Sequence, residues 1–294
     1  MVASTIKAVL QSAVKSFKEC EYLSPILDAE LLLLHAYRLN DINMNKIKLI
    51  TNYNDVVPQS VYSIYIDFVQ QRAEGKPIQY ITKVQEFMGL ELSISPGVLI
   101  PRADTEIIVE KLIELADKDN VISIVDMCTG SGAIALSLAY YLQNAKVTAV
   151  DISDAALSCC RQNIAKLKLQ DRVEAVKSNL FEELKNKAFI NNIDMIVSNP
   201  PYIPKGDISN LSISVREYEP SLALDGGLDG LNFYREISRN ASTYLKSGGI
   251  LAFEIGYNQG QDVMNIIKES GSWYDLECYK DLAGLDRCII AHYK

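Results

Sequence analysis

The four residues Asn199-Pro200-Pro201-Tyr202 are the part of this chain best equipped for chemistry. An asparagine side-chain oxygen and a proline-fixed backbone carbonyl can together hold both hydrogens of a planar –NH2 group. The residue before a proline is confined to extended backbone, so such a loop is stiff. Tyr202 offers a ring wall beside the held group. An amide or aryl amine is a poor nucleophile, and it reacts only when positioned against a strong electrophile. The rest of the chain should supply that electrophile.

A second segment fits the need. Asp126-Met127-Cys128-Thr129-Gly130-Ser131-Gly132 reads as a turn between a strand and a helix. Glycines there let the backbone approach a ligand and expose N–H groups at a helix N-terminus. Asp151 ends the next strand, 25 positions after Asp126, where a carboxylate accepts hydrogen bonds from both ribose hydroxyls of an adenosine cofactor. Ser153 and Asp154 are at hand to cap the following helix, so Asp151 is not needed for that. The cofactor is a dinucleotide or S-adenosyl-L-methionine. No glycine follows at the dinucleotide spacing, and Cys128 stands where a first glycine often does. The sulfonium of S-adenosyl-L-methionine is a ready methyl electrophile for a weak nitrogen nucleophile.

These segments need a frame. Apolar residues at 6, 9, 10, 13, 14 and 17 recur at helical spacing, as do those of 29–37 and 61–72. Residues 1–75 therefore read as a helical bundle. Residues 76–104 read as a structured connector with a hairpin at 86–94, turning at Gly89. From 105 to 294 strands and helices alternate: helices at 105–116, 133–142, 155–167, 231–244 and 263–268, strands at 121–126, 146–151, 173–176, 193–197 and 250–254. That alternation predicts a parallel sheet covered on both faces. Only eight residues separate the last two strands, 276–279 and 288–292. This is too short for a helical crossover, so they should pair antiparallel.

Composition narrows the class. Hydrophobic residues make up 48% and charged residues 22%, as in a globular protein. No apolar run is long enough to cross a bilayer, and Met1-Val2-Ala3-Ser4-Thr5 shows no export signal. Neither a membrane nor an exported location is expected. The six cysteines form no C-x-x-C pair and resemble no metal site, so reduced thiols in a cytoplasm are expected. With only two histidines, His35 and His292, the chain is poorly supplied for imidazole acid–base chemistry. A net charge of −8 argues against direct nucleic-acid binding.

Taken together, these segments resemble the protein-(glutamine) methyltransferases, enzymes that methylate peptide chain release factors. The likeness spans essentially the whole chain: the helical N-terminal part, the hairpin connector, Ile100-Pro101-Arg102-Ala103-Asp104-Thr105-Glu106, the glycine loop, Asn199-Pro200-Pro201-Tyr202 and Asp225-Gly226-Gly227-Leu228-Asp229-Gly230. Cys128 and Ala103 depart from the family pattern, replacing a glycine and a frequent proline. Cys128 leaves the loop unaltered if its backbone avoids positive φ.

The resemblance implies a class I S-adenosyl-L-methionine-dependent methyltransferase fold, Rossmann-like, with an N-terminal helical domain that grips the substrate. It implies transfer of a methyl group to the glutamine of the Gly-Gly-Gln motif of release factors one and two, by a monomer. Cys128, Thr129, Gly130, Ser131 and Gly132 would lie along the methionine part of the cofactor, Asp151 at the ribose, and Asn179 and Leu180 at the adenine. Asn199, Pro200, Pro201 and Tyr202 would bind the substrate. Asn199 would border the cofactor as well, and Asn199, Pro200 and Tyr202 would carry the catalysis. Arg102, Thr105 and Glu106 either brace the substrate loop or form a capped surface turn. Residues 225–230 either order a second active-site loop or cap the next helix. The Asn-Pro-Pro-Tyr tetrad is shared with enzymes that methylate adenine amino groups of DNA or RNA, which is the alternative reading.

Overall fold

The structure, a computed structural model, describes residues 4–17, 24–185, 189–271 and 273–294. Cys20 lies outside them. The chain divides into two compact units, Met1–Lys83 with Ile213–Tyr218, and Val84–Ser212 with Glu219–Lys294.

The first unit is helical. Helices Ile6–Phe17, Pro25–Arg38 and Gln59–Ala73 bury the apolar faces seen in the sequence, with Phe17, Leu32, Leu33 and Tyr65 fully enclosed. Two short helices, Lys46–Thr51 and Ile78–Thr82, were not legible, since one or two turns carry too few residues to show a period. Ile81 joins the helical core. Residues 76–83 therefore belong to this unit, although the sequence placed them in the connector. Inside the unit Arg72 Nε donates to Asp28 Oδ2 at 2.8 Å, both side chains being buried, and Arg72 Nη1 donates to the Lys76 carbonyl. The Tyr218 hydroxyl donates to the Glu74 carbonyl at 3.2 Å.

The second unit opens with a hairpin, β1 Val84–Phe87 and β2 Leu90–Ser93. Met88 and Gly89 both take positive φ, the turn that matches strand twist. Glu106 Oε1 accepts from the Met88 N–H, and the Tyr141 hydroxyl donates to the Met88 carbonyl, so the tip is tied down. Seven further strands follow: β3 Ile122–Met127, β4 Ala145–Asp151, β5 Val173–Lys177, β6 Ile193–Ser198, β7 Leu245–Glu254, β8 Trp273–Lys280 and β9 Asp286–Tyr293. They form one sheet in the order β5-β4-β3-β6-β7-β9-β8. β3 to β7 pair parallel, and β9 pairs antiparallel with both β7 and β8. The expected terminal hairpin is therefore present.

β3 and β6 are buried over nearly their whole length because helices cover both faces of the sheet. Helix Ala133–Tyr141 is buried from Ala133 to Ala139 for the same reason. Strand order reverses between β3 and β6: β4 lies on one side of β3 and β6 on the other. In open α/β sheets the crevice forms at such a reversal, beyond the carboxyl ends of the strands.

The Asp28–Arg72 pair supports the helical unit through its burial. Asp28→Ala would leave the guanidinium buried without its carboxylate, at a cost of about 3–5 kcal/mol. Urea unfolding followed by helical circular dichroism should show an early transition in the variant and not in the wild type.

Candidate active site

β3 and β6 end level with each other, Met127 opposite Ser198. The glycine loop and the Asn-Pro-Pro-Tyr loop therefore leave the sheet as neighbours. The Ser198 hydroxyl donates to the Met127 carbonyl at 2.7 Å and fastens the two exits together.

The glycine loop turns sharply. Cys128, Gly130 and Gly132 have φ of 60, 57 and 85°. Alternating left-handed residues swing successive N–H groups toward one side. Cys128 thus holds the positive φ that the sequence had made the condition for an altered loop, at a cost of about 1–2 kcal/mol for a non-glycine residue. The Thr129 N–H donates to the Val150 carbonyl, and the Gly130 N–H to Asp151 Oδ2, both at 2.9 Å. Asp126 is fully buried beneath, accepting from the Thr129 hydroxyl at 2.5 Å and from the Ala135 N–H at 3.2 Å. Burial raises its pKa to about 7. Asn163 secures the loop from behind: its buried Nδ2 donates to the Ser131 and Ser93 carbonyls, and its Oδ1 accepts from the Ser93 N–H.

A cleft with about 1030 Å³ of empty space, partly continuous with solvent, opens at this corner. Its walls include Cys128, Thr129, Gly130, Ser131, Asp151, Asn179, Leu180, Asn199 and Pro201. Sequence positions spread over more than seventy residues thus meet in one place. Gly132, Pro200 and Tyr202 do not line it. Gly132 opens the following helix, where an added Cβ would meet Cys160 Sγ at 2.8 Å. Pro200 is buried. Tyr202 packs against the apolar cluster under the β7 side of the sheet, and burial holds its phenol above the usual range.

Asp151 keeps both oxygens on backbone N–H groups, Oδ2 on Gly130 and Oδ1 on Ser153. Burial raises its pKa, and those hydrogen bonds oppose the rise. Ser153, not Asp151, caps helix Asp154–Lys166, through a bond from the Ala156 N–H. Ser178 braces the adjacent turn: its hydroxyl donates to the Leu180 carbonyl and accepts from the Glu183 N–H.

Several cleft residues were beyond the site residues read from the sequence. Gly97, Val98, Leu99, Pro101, Ser178 and Phe233 also line it. Arg102 and Thr105, left open between bracing and capping, line it too. Thr105 makes no helix-capping bond. It is buried, and its Oγ1 accepts from Asn199 Nδ2 at 3.3 Å. Arg102 pairs with buried Glu219 at 2.5 Å. Burial pushes the Glu219 carboxyl up, and Arg102 opposes that. Glu254, at the end of β7, is buried, and Thr105 and Asn199 are among the groups that oppose the rise burial gives its carboxyl. Only its place at a strand terminus could have signalled it.

Residues 225–230 follow the first of the two alternatives, lying beside the Asn-Pro-Pro-Tyr loop, and no side chain caps the next helix. The Gly226 N–H donates to the Ile203 carbonyl and the Lys205 N–H to the Gly227 carbonyl, so the segment runs alongside the chain that follows Tyr202. Asp229 Oδ1 accepts from the Leu231 N–H just ahead of helix Asn232–Tyr244. Gly230 lies against the Tyr202 carbonyl, and Gln259 Nε2 donates to that carbonyl at 2.9 Å.

A seven-stranded sheet with an antiparallel last pair, a glycine loop after its first strand in sequence and Asn-Pro-Pro-Tyr after its fourth define a class I methyltransferase. Residues 103–214 match the family Methyltransferase small domain, and residues 8–82 match the PrmC N-terminal domain. The chain is 38% identical to the release factor glutamine methyltransferase of Clostridium acetobutylicum, over 97% of this chain and 98% of that one. It is 39% identical to that of Moorella thermoacetica, over 98% of each chain. It is 42% identical to that of Clostridium botulinum, over 90% of this chain and 91% of that one. The chain belongs to the release factor glutamine methyltransferases.

Gly230 has φ of 76°, and a Cβ there would run into the Tyr202 carbonyl and come within 2.8 Å of Gln259 Nε2. Gly230→Ala should therefore shift the Asn-Pro-Pro-Tyr loop, destabilising the protein by about 1–3 kcal/mol. Thermal melting should show the loss, and methyl transfer should fall further than the folded fraction does.

Proposed function

We propose that the protein transfers a methyl group from S-adenosyl-L-methionine to the side-chain amide nitrogen of the glutamine in the Gly-Gly-Gln motif of peptide chain release factors. The products are N5-methylglutamine and S-adenosylhomocysteine. The observation that carries this reading is Asn199 meeting the glycine loop on one cleft. The names of the relatives support the choice of substrate.

The cleft fits the cofactor. A Cβ added to Gly130 would enter open space, so the backbone leaves room for a ligand against it. Asp151 uses one lone pair of each oxygen on backbone N–H groups and keeps others for hydroxyls. In this reading Cys128, Thr129, Gly130 and Ser131 run beside the methionine part, Gly132 turns the loop into its helix, Asp151 holds the ribose, and Asn179 and Leu180 border the adenine. The cofactor supplies a methyl group on a positively charged sulfur.

The chain's own residues do the positioning. Asn199 Oδ1 accepts one hydrogen of the glutamine –NH2, and the Pro200 carbonyl accepts the other. Both bonds draw the N–H hydrogens away from nitrogen and aim its lone pair at the methyl carbon. Holding the partners in line can contribute several kcal/mol, within the roughly 7–11 kcal/mol available to such arrangements. The nitrogen–carbon bond forms as the carbon–sulfur bond breaks, and the nitrogen then releases a proton. That proton is acidic enough to leave to water, so no histidine is called for. Pro201 walls the glutamine side chain, and Tyr202, packed into the core behind it, anchors the loop. The reaction belongs in the cytoplasm, where release factors work.

The helical unit is the part we assign to gripping the release factor. On it, Lys46 pairs with Glu30 at 3.3 Å, which sets helix Lys46–Thr51 against helix Pro25–Arg38. Ile26 and Ile47, on those two helices, are 66% and 74% exposed, apolar side chains available to a protein partner.

Two experiments test this reading. Radiolabelled S-adenosyl-L-methionine with intact release factor should label the protein substrate, and a factor whose Gly-Gly-Gln glutamine is changed should stay unlabelled. Asn199→Ala should lose about 100-fold or more in kcat while still binding S-adenosylhomocysteine. Label on neither factor, with S-adenosylhomocysteine still bound, would turn the search to nucleic acid. Ile47→Glu should raise KM for the intact factor and leave KM for a short Gly-Gly-Gln peptide unchanged. Equal effects on both would remove the helical unit from substrate binding.

A further inference from the structure

Glu254 has no place in the reaction as described above, yet it sits one strand from Asn199. β6 and β7 are parallel with Ser198 opposite Phe253, so the next residues on each strand leave the sheet side by side. Glu254 is 2% exposed. Its carboxyl faces the side chains of Thr105 and Asn199, both of which favour its charged form, and Asn199 Nδ2 donates to Thr105 Oγ1 at 3.3 Å. A carboxylate has no proton to give, so the Asn199 atom that meets it is the nitrogen. One Nδ2 hydrogen is then on Thr105 and the other is drawn toward the carboxylate, and Oδ1 is left for the cleft.

We propose that Glu254 is a positioning residue that locks the Asn199 side-chain amide with its oxygen toward the substrate nitrogen. The proposal rests on the reading of Asn199 as the acceptor of a glutamine N–H. An asparagine amide turned by half a revolution has almost the same shape but presents –NH2 to the substrate's –NH2. Two donors facing each other hold nothing. Thr105 cannot exclude the turned form, because a hydroxyl both donates and accepts. Glu254 excludes it by charge.

This lock is sensitive to protonation. Burial raises the Glu254 pKa to about 7, with Thr105, Arg287 and Asn199 opposing the rise and Asp104 adding to it. Tyr202, Tyr234 and Cys288 also feel its charge, and burial keeps all three protonated in this range. Oε2 has no hydrogen-bond partner among the described residues, so one oxygen is available to take up the proton. Below about pH 7 the neutral acid becomes a donor and tolerates Asn199 Oδ1 facing it. The rate constant kcat should therefore fall as pH drops through that value. Asp126 also titrates near 7, but it lies under the glycine loop, so its effect belongs to cofactor affinity.

The test compares the wild type with Glu254→Gln, whose amide can donate to Asn199 Oδ1. We expect kcat to fall about 10- to 100-fold, with the affinity for S-adenosylhomocysteine unchanged and the acid limb of the kcat profile gone. Wild-type kcat with the same acid limb in the variant would overturn the proposal. A second measurement uses the wild-type protein alone. The Asn199 side-chain amide resonances should titrate with the Glu254 carboxyl carbon at a shared midpoint. An Asn199 amide that stays flat while Glu254 titrates would overturn the proposal even if the variant does not fold. A shared midpoint in a wild type that methylates no release factor would sink the substrate reading and leave the lock standing.

Discussion

The site depends on one constraint, the parallel pairing of β3 with β6 where strand order reverses. Parallel strands release their chains at the same edge of a sheet, and a reversal leaves that edge uncovered by a crossover helix. The loop after β3 is therefore free to hold a ligand, and the loop after β6 is free to present Asn199 to it. β7 is parallel to β6 in turn. Its last residue, Glu254, arrives behind Asn199 by the same rule. Three strand ends that are far apart in sequence converge because backbone hydrogen bonding leaves them no other register.

Burial then sets the chemistry of the groups that converge. Asp126 and Glu254 are carboxyls enclosed at strand ends, and enclosure raises both pKa values to about 7. Asp126 is held by the Thr129 hydroxyl and the Ala135 N–H, while Thr105, Arg287 and Asn199 favour the charged form of Glu254. Such groups orient the loops above them without competing for a ligand. The Arg102–Glu219 pair does similar work on the far wall, joining the segment before helix Glu106–Leu115 to the one that begins Pro220. The nucleophile in this chemistry is a neutral amide, and a site for it needs directed acceptors more than strong bases.

The sequence by itself determined the class of fold and the chemistry. Strand and helix periods differ enough to be read directly, and eight residues between the last strands forced a hairpin. Asn199-Pro200-Pro201-Tyr202 and the glycine loop could be singled out because proline and glycine restrict or free the backbone locally, whatever surrounds them. Short helices such as Lys46–Thr51 escaped notice because one or two turns show no period. Tertiary structure alone decided which neighbours the reacting group has. Thr105 could have capped a helix, yet it turns inward to Asn199 because β6 brings an amide within reach. Cys128 takes a left-handed backbone because the loop must turn its N–H groups toward Asp151. Glu254 looks like any strand-ending glutamate until β6 and β7 are placed in register. Contacts between residues distant in sequence depend on register and burial, and neither is a property of a local stretch of chain.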